Sequence, residues 1–171
     1  REEKPTRRGA HGSEEPHGVI YKIREAVTNN NILNFVRPTT NFLINGNVET
    51  VVKWDHYWQS GNSQNVYLLI DFKDRFIFPT YYSMKGSYGI FFTKSWILYG
   101  LNSLSGSPVE IARDTSVLST FCGDPSECGD VCCNNNWGTF SINPPTLAFR
   151  YLKMTILAPS KPSYWNMAMR G

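Results

Sequence analysis

Apolar residues in this chain come in short runs separated by clusters of Gly, Pro, Asn and Ser. The strongest run, Val66-Tyr67-Leu68-Leu69-Ile70-Asp71-Phe72, is too short for a typical helix, and the charged Lys73-Asp74-Arg75 after it suits a tight turn. Phe76–Met84 reads as the returning strand, with Pro79 implying an edge or a bulge because proline donates no ladder hydrogen bond. Further strands are expected at Lys94–Gly100, Pro108–Arg113, Gly138–Ile142 and Thr146–Leu157, the last being the longest β-like run. Upstream, Gly18–Ile23 is rich in β formers and is expected to be a first strand or a lead-in packed on it. Asn29–Asn31 and Arg37–Asn41 read as loops. Helix signals are weak throughout, since no segment of a dozen residues holds an i, i+3, i+4, i+7 apolar stripe free of Gly or Pro. The pattern predicts an all-β sandwich or barrel.

Composition narrows this picture. The 171 residues fit one domain, and 41% apolar with 14% aromatic residues is enough for a core. Residues 1–17 mix charges with Pro, Gly and His and lack an apolar period, which predicts a charged flexible leader ahead of a domain over 18–171. No apolar run is long enough for a membrane span or a signal-peptide core. Residues 1–25 hold 11 of the 31 charges, and the body is nearly balanced at 11 basic against nine acidic, so nucleic acid is not an expected partner.

Three segments in order, Asp71–Arg75, Pro79–Met84 and Lys94–Gly100, resemble the middle of the discoidin domain, also called the coagulation factor 5/8 type C domain. Phe149-Arg150-Tyr151-Leu152-Lys153-Met154-Thr155 is similar to its late strand, which opens on aromatic-Arg-aromatic. The likeness covers roughly residues 40–171 and is nearest to divergent intracellular members on protist and animal scaffold proteins. It implies a galactose-binding-like, discoidin-like β-sandwich jelly roll of about eight main strands, with ligand-binding loops at one end. Leu101–Pro108 departs from the Ser-Asn-Asp-Gly turn usual there. The chain ends at Met169-Arg170-Gly171, where the family places its closing strand, so a fragment lacking that strand is expected.

All four cysteines, Cys122, Cys128, Cys132 and Cys133, fall within 12 residues. The spacing lacks the paired knuckles common in zinc modules, so no metal site is expected. Two small disulfide rings are feasible, although adjacent Cys132 and Cys133 cannot bond each other without strain. No N-x-S/T sequon is present. That favours reduced thiols in a cytoplasmic, cytoskeleton-associated protein, with an extracellular protein as the alternative.

Chemistry-bearing constellations are missing: no nucleophile elbow, Walker loop, dinucleotide fingerprint or zinc-protease motif occurs, and of three His only His56 lies in the body. No catalysis and no cofactor are expected. Aromatic residues are the better candidates. Trp54-Asp55-His56-Tyr57-Trp58 sets rings and hydrogen-bonding groups in what reads as a loop, with Trp54 assigned to the core. Lys85–Phe92 corresponds by resemblance to one of the ligand-end loops, and Phe91 and Phe92 are expected to be buried at the start of the next strand. Trp137 stands either over the sandwich edge or on a contact surface. The candidate ligand- or partner-binding set is His56, Tyr57, Trp58, Lys85, Tyr88 and Trp137. A protein partner in an intracellular assembly is the first expectation. Carbohydrate or phospholipid head groups are the alternative, the latter with only peripheral membrane contact.

Overall fold

The computed structural model describes residues 11–12, 18–27, 31–53, 57–86, 95–115, 137–142, 147–158 and 168–170. Two antiparallel sheets face each other, as expected of a β-sandwich. One contains β2 (Arg37–Thr40), β5 (Tyr67–Asp71), β10 (Tyr151–Ile156), β7 (Trp96–Leu101) and β8 (Val109–Asp114), in that spatial order. The other runs β1 (His11–Gly12), β9 (Trp137–Ser141), β6 (Tyr81–Gly86), β11 (Ala168–Arg170), β4 (Tyr57–Ser60) and β3 (Leu43–Gly46). A short 3-10 turn (Ile32–Asn34) and two helices, α1 (Val19–Ala26) and α2 (Thr50–Lys53), complete the described elements. None of the described helices is long and apolar enough to cross a membrane.

The period-2 logic holds best in β5, where Leu68, Ile70 and, just beyond it, Phe72 are buried while Tyr67, Leu69 and Asp71 are only partly covered. β10 pairs with β5 on one side and β7 on the other, so that Met154 lies opposite Leu68 and Leu98. Trp96, Leu98 and Gly100 share the inward face of β7. Gly100 is needed for close approach: a Cβ there would come within 2.5 Å of the buried Phe149 ring.

Several expectations are corrected. Gly18–Ile23 is not a strand; Val19–Ala26 is helical, because Ile20, Ile23 and Val27 recur at helical spacing and pack as a partly buried row against the core. Its β-branched content masked that period. Arg37–Thr40 is a strand rather than a loop: β2 is a sheet edge, where Pro38 is tolerated without an N–H. Phe76–Met84 is not one strand either. Ile77 makes an isolated bridge to Phe149, the chain then crosses between sheets, and β6 begins only at Tyr81. His11–Gly12 pairs with β9, and Ala168–Arg170 lies between β4 and β6. Trp54, Phe91, Phe92, Asn29, Asn30 and the four cysteines lie outside the described residues.

A polar bridge crosses the core. Trp96, fully buried, donates its indole N–H to the Tyr82 hydroxyl at 2.6 Å, and that hydroxyl donates to the buried Asp114 carboxylate. Phe140 stacks on Tyr82 at 5.2 Å and meets Trp96 edge-on at 5.0 Å. At the end of β5, Arg150 donates to both Asp71 oxygens at 3.1 and 3.4 Å, and the Lys73 N–H donates to Asp71 Oδ1 at 2.7 Å. Partial burial pushes the Asp71 carboxyl up, but the hydrogen bonds and charge of Arg150 with the Lys73 N–H outweigh it and hold its pKa below the ordinary 3.8.

Three outcomes follow from these contacts. Gly100→Ala is expected to lower stability by about 1–3 kcal/mol, read by urea denaturation, because the Phe149 ring has nowhere to move in a packed interior. Tyr82→Phe removes an acceptor from Trp96 and a donor from Asp114, and is expected to cost about 2 kcal/mol while the β signature in circular dichroism persists. Because the folded Asp71 pKa is depressed, its stabilisation is present at neutral pH and is lost as pH falls through that value. Thermal melts from pH 6 down to pH 2 should therefore fall less steeply for Asp71→Asn than for the unaltered protein.

Candidate functional site

Strand register assigns the loops to two ends of the sandwich. Thr40, Leu68, Trp96, Asp114 and Ile156 mark one end of the five-stranded sheet, since Thr40 pairs with Leu68, and Trp96 with both Ile156 and Asp114. The β2–β3 and β4–β5 connections lie at this end.

The two described connections are built rigidly. Asn41 Nδ2 donates to the Asn65 carbonyl at 2.9 Å, and its Oδ1 accepts from the Tyr67 N–H at 3.0 Å, so one side chain clamps both loops. The Gly61 N–H donates to the Phe42 carbonyl at 2.9 Å. Gly61 leaves room for the ring, because a Cβ there would sit 2.4 Å from it where Phe42 now lies. The ring is thereby laid against backbone and still remains 44% exposed. Leu43, which opens β3, and Asn62, Gln64 and Asn65 of the β4–β5 connection are exposed as well. An aromatic face rimmed by amides, with no ionisable group between Asn41 and Leu43 or between Gly61 and Asn65, suits a neutral, hydroxyl-rich ligand.

Of the residues singled out from sequence, His56 and Tyr88 lie outside the described residues. Tyr57 and Trp58 are not in a loop: β4 is paired with β3 and β11 on its two sides. Backbone register puts Tyr57, Arg170, Lys85 and Trp137 on one transverse row of the six-stranded sheet, so three candidates are brought together there, while Trp58 falls on the next row. Trp137 is 7% exposed, yet it lies on the face of β9 opposite to Phe140 and outside the core cluster. Phe42 was missed. Its signal was available, as an Asn-aromatic pair following Arg37–Thr40, but reading that stretch as loop hid the turn it caps. Among the described residues no group of three or more His, Cys, Asp or Glu converges to hold a metal.

The opposite end is different in character. The Ile77–Phe149 bridge joins the 72–80 and 147–150 segments, and Asn102 ties the 102–108 loop to them through the Ala148 carbonyl at 3.0 Å and the Arg150 N–H at 3.0 Å. Phe76 (62%), Phe78 (55%), Leu104 and Leu147 are exposed on these segments, among the charges of Asp71, Lys73, Asp74, Arg75 and Arg150.

No model of a known family matches the chain, and no curated protein matches it in sequence. Solved structures do. The family 32 carbohydrate-binding module of NanJ from Clostridium perfringens, in complex with galactose, aligns over 80% of this chain and 90% of its own at 10% identity and a TM-score of 0.55. The CBM32-3 module of a family 31 glycoside hydrolase from the same organism aligns over 80% and 87%, at 11% identity and a TM-score of 0.58. Chitosan-binding module 1 of a chitosanase/glucanase from Paenibacillus sp. IK-5 covers 79% and 90%, at 8% identity and a TM-score of 0.52. At these identities the likeness is one of fold alone, an antiparallel β-sandwich.

Proposed function

We propose that this chain is a non-catalytic recognition module that binds a neutral saccharide at the loop end holding Asn41, Phe42 and Gly61–Asn65. The carrying observation is the Phe42 ring, fixed by the Asn41 clamp and the Gly61 contact, exposed among amides in connections without an ionisable group. A sugar ring stacks its C–H face on an aromatic and spends its hydroxyls on neutral donors and acceptors, which is the chemistry this surface offers. Anionic lipid head groups fit it less well, because the two described connections carry no cation. That solved modules of the same fold include complexes with galactose and with GalNAc-β-1,3-galactose supports the same reading.

A second reading, protein recognition, draws on the far end, where Phe76, Phe78, Leu104 and Leu147 expose apolar area among charges. Such a mixture is how protein interfaces are commonly built.

Calorimetry or affinity electrophoresis against galactose, N-acetylgalactosamine and chitosan oligosaccharides decides between them. Phe42→Ala is expected to weaken saccharide binding at least tenfold, about 1.4 kcal/mol, with only a few degrees' change in melting temperature. Gln64→Ala should weaken it less. A panel without saturable binding, together with a pull-down abolished by Phe76→Ser and Phe78→Ser, would move the function to the far end.

A further inference from the structure

A cavity of about 420 Å³ opens between the two sheets under the first turn of α1. Its walls are Leu68, Ile70, Leu98, Leu152 and Met154 from one sheet and Tyr82, Met84 and Trp137 from the other. Val19, Phe78 and Tyr81 stand exposed at its rim. Folded interiors seldom leave voids much larger than a water molecule, and this one has the size of a ligand pocket. An independent sign is Leu152. It lies on the inward face of β10, the middle strand of its sheet, opposite Ile70 and Gly100, yet it is only partly buried. α1 roofs the opening without burying any residue of its own.

The lining defines the occupant. None of the described residues that line it is charged. The polar groups deep in the wall are already engaged: Tyr82 with Trp96 and Asp114, and Ser83 with Thr139 at 2.8 Å. Water therefore finds few partners inside, and an apolar molecule loses nothing by entering. At the rim, the hydroxyls of the exposed Thr80 and Tyr81 remain beside solvent for a small polar head. We propose that the sandwich binds an uncharged aliphatic chain between its sheets, entered past the first turn of α1. The site is separate from the saccharide surface and does not depend on it.

The probe is N-phenyl-1-naphthylamine, a neutral apolar dye whose fluorescence rises on leaving water, titrated into the whole chain and then displaced with decanol. Saturable one-to-one uptake, reversed by decanol and unchanged by galactose or Phe42→Ala, is expected. Leu152→Trp fills the cavity and should weaken uptake at least tenfold with an equal or higher melting temperature. Val19→Asp puts a charge at the exposed mouth without touching the core and should weaken uptake severalfold. It decides the matter if Leu152→Trp fails to fold. Absence of saturable uptake by the unaltered protein, uptake that survives both substitutions, or uptake lost in Phe42→Ala would each overturn the proposal.

Discussion

The sandwich depends on how Trp96 is satisfied. A fully buried indole N–H costs free energy unless it finds an acceptor, and the acceptor is supplied from the opposite sheet by Tyr82, itself held by Asp114. Three strands, β6, β7 and β8, are thus fixed relative to one another by one hydroxyl group, and Phe140 fills the space around it with two ring contacts. This polar link sets the distance and angle between sheets that apolar contacts alone leave adjustable. Tyr82 also marks a boundary: one flank of its ring is packed by Phe140, while the residue borders the cavity under α1.

The two ends of the barrel-like sandwich are held by different physics. At one end an amide and backbone groups hold the loops, and no charge is used in the described connections. At the other, the Asp71–Arg150 pair and the Asn102 bonds fix the turns, leaving apolar side chains outside a charged frame. Among the described residues the loops of one end are polar without charge, and those of the other set apolar side chains among charges.

Much of the sheet framework was legible from local pattern. Val66–Phe72 was read as a strand from its short run of β-branched, aromatic and aliphatic residues, and in the structure every second residue of it is buried. The misreadings share one cause: local sequence carries no record of the partner. Pro38 argues against a strand until it is known that β2 is an edge, and Ile20, Ile23 and Val27 look like β formers until a core is placed beneath them. Phe42 was hidden in the same way. What makes it a surface platform is Gly61, which lies far along the chain and meets it only after β3 and β4 have paired.

The position of β11 has a consequence for how this protein is made. The five-stranded sheet takes all its strands from residues 37–156, whereas β4 and β6 of the other sheet meet only through Ala168–Arg170. Until those residues arrive, that sheet exists as two separate pieces, β3–β4 and β1–β9–β6, each presenting a row of unpaired backbone groups. Such rows accept any extended chain nearby, a second nascent copy included. Truncation upstream of Ala168 would thus remove more than three residues' worth of stability: it would turn an interior seam into two open edges and convert a folding problem into an aggregation problem.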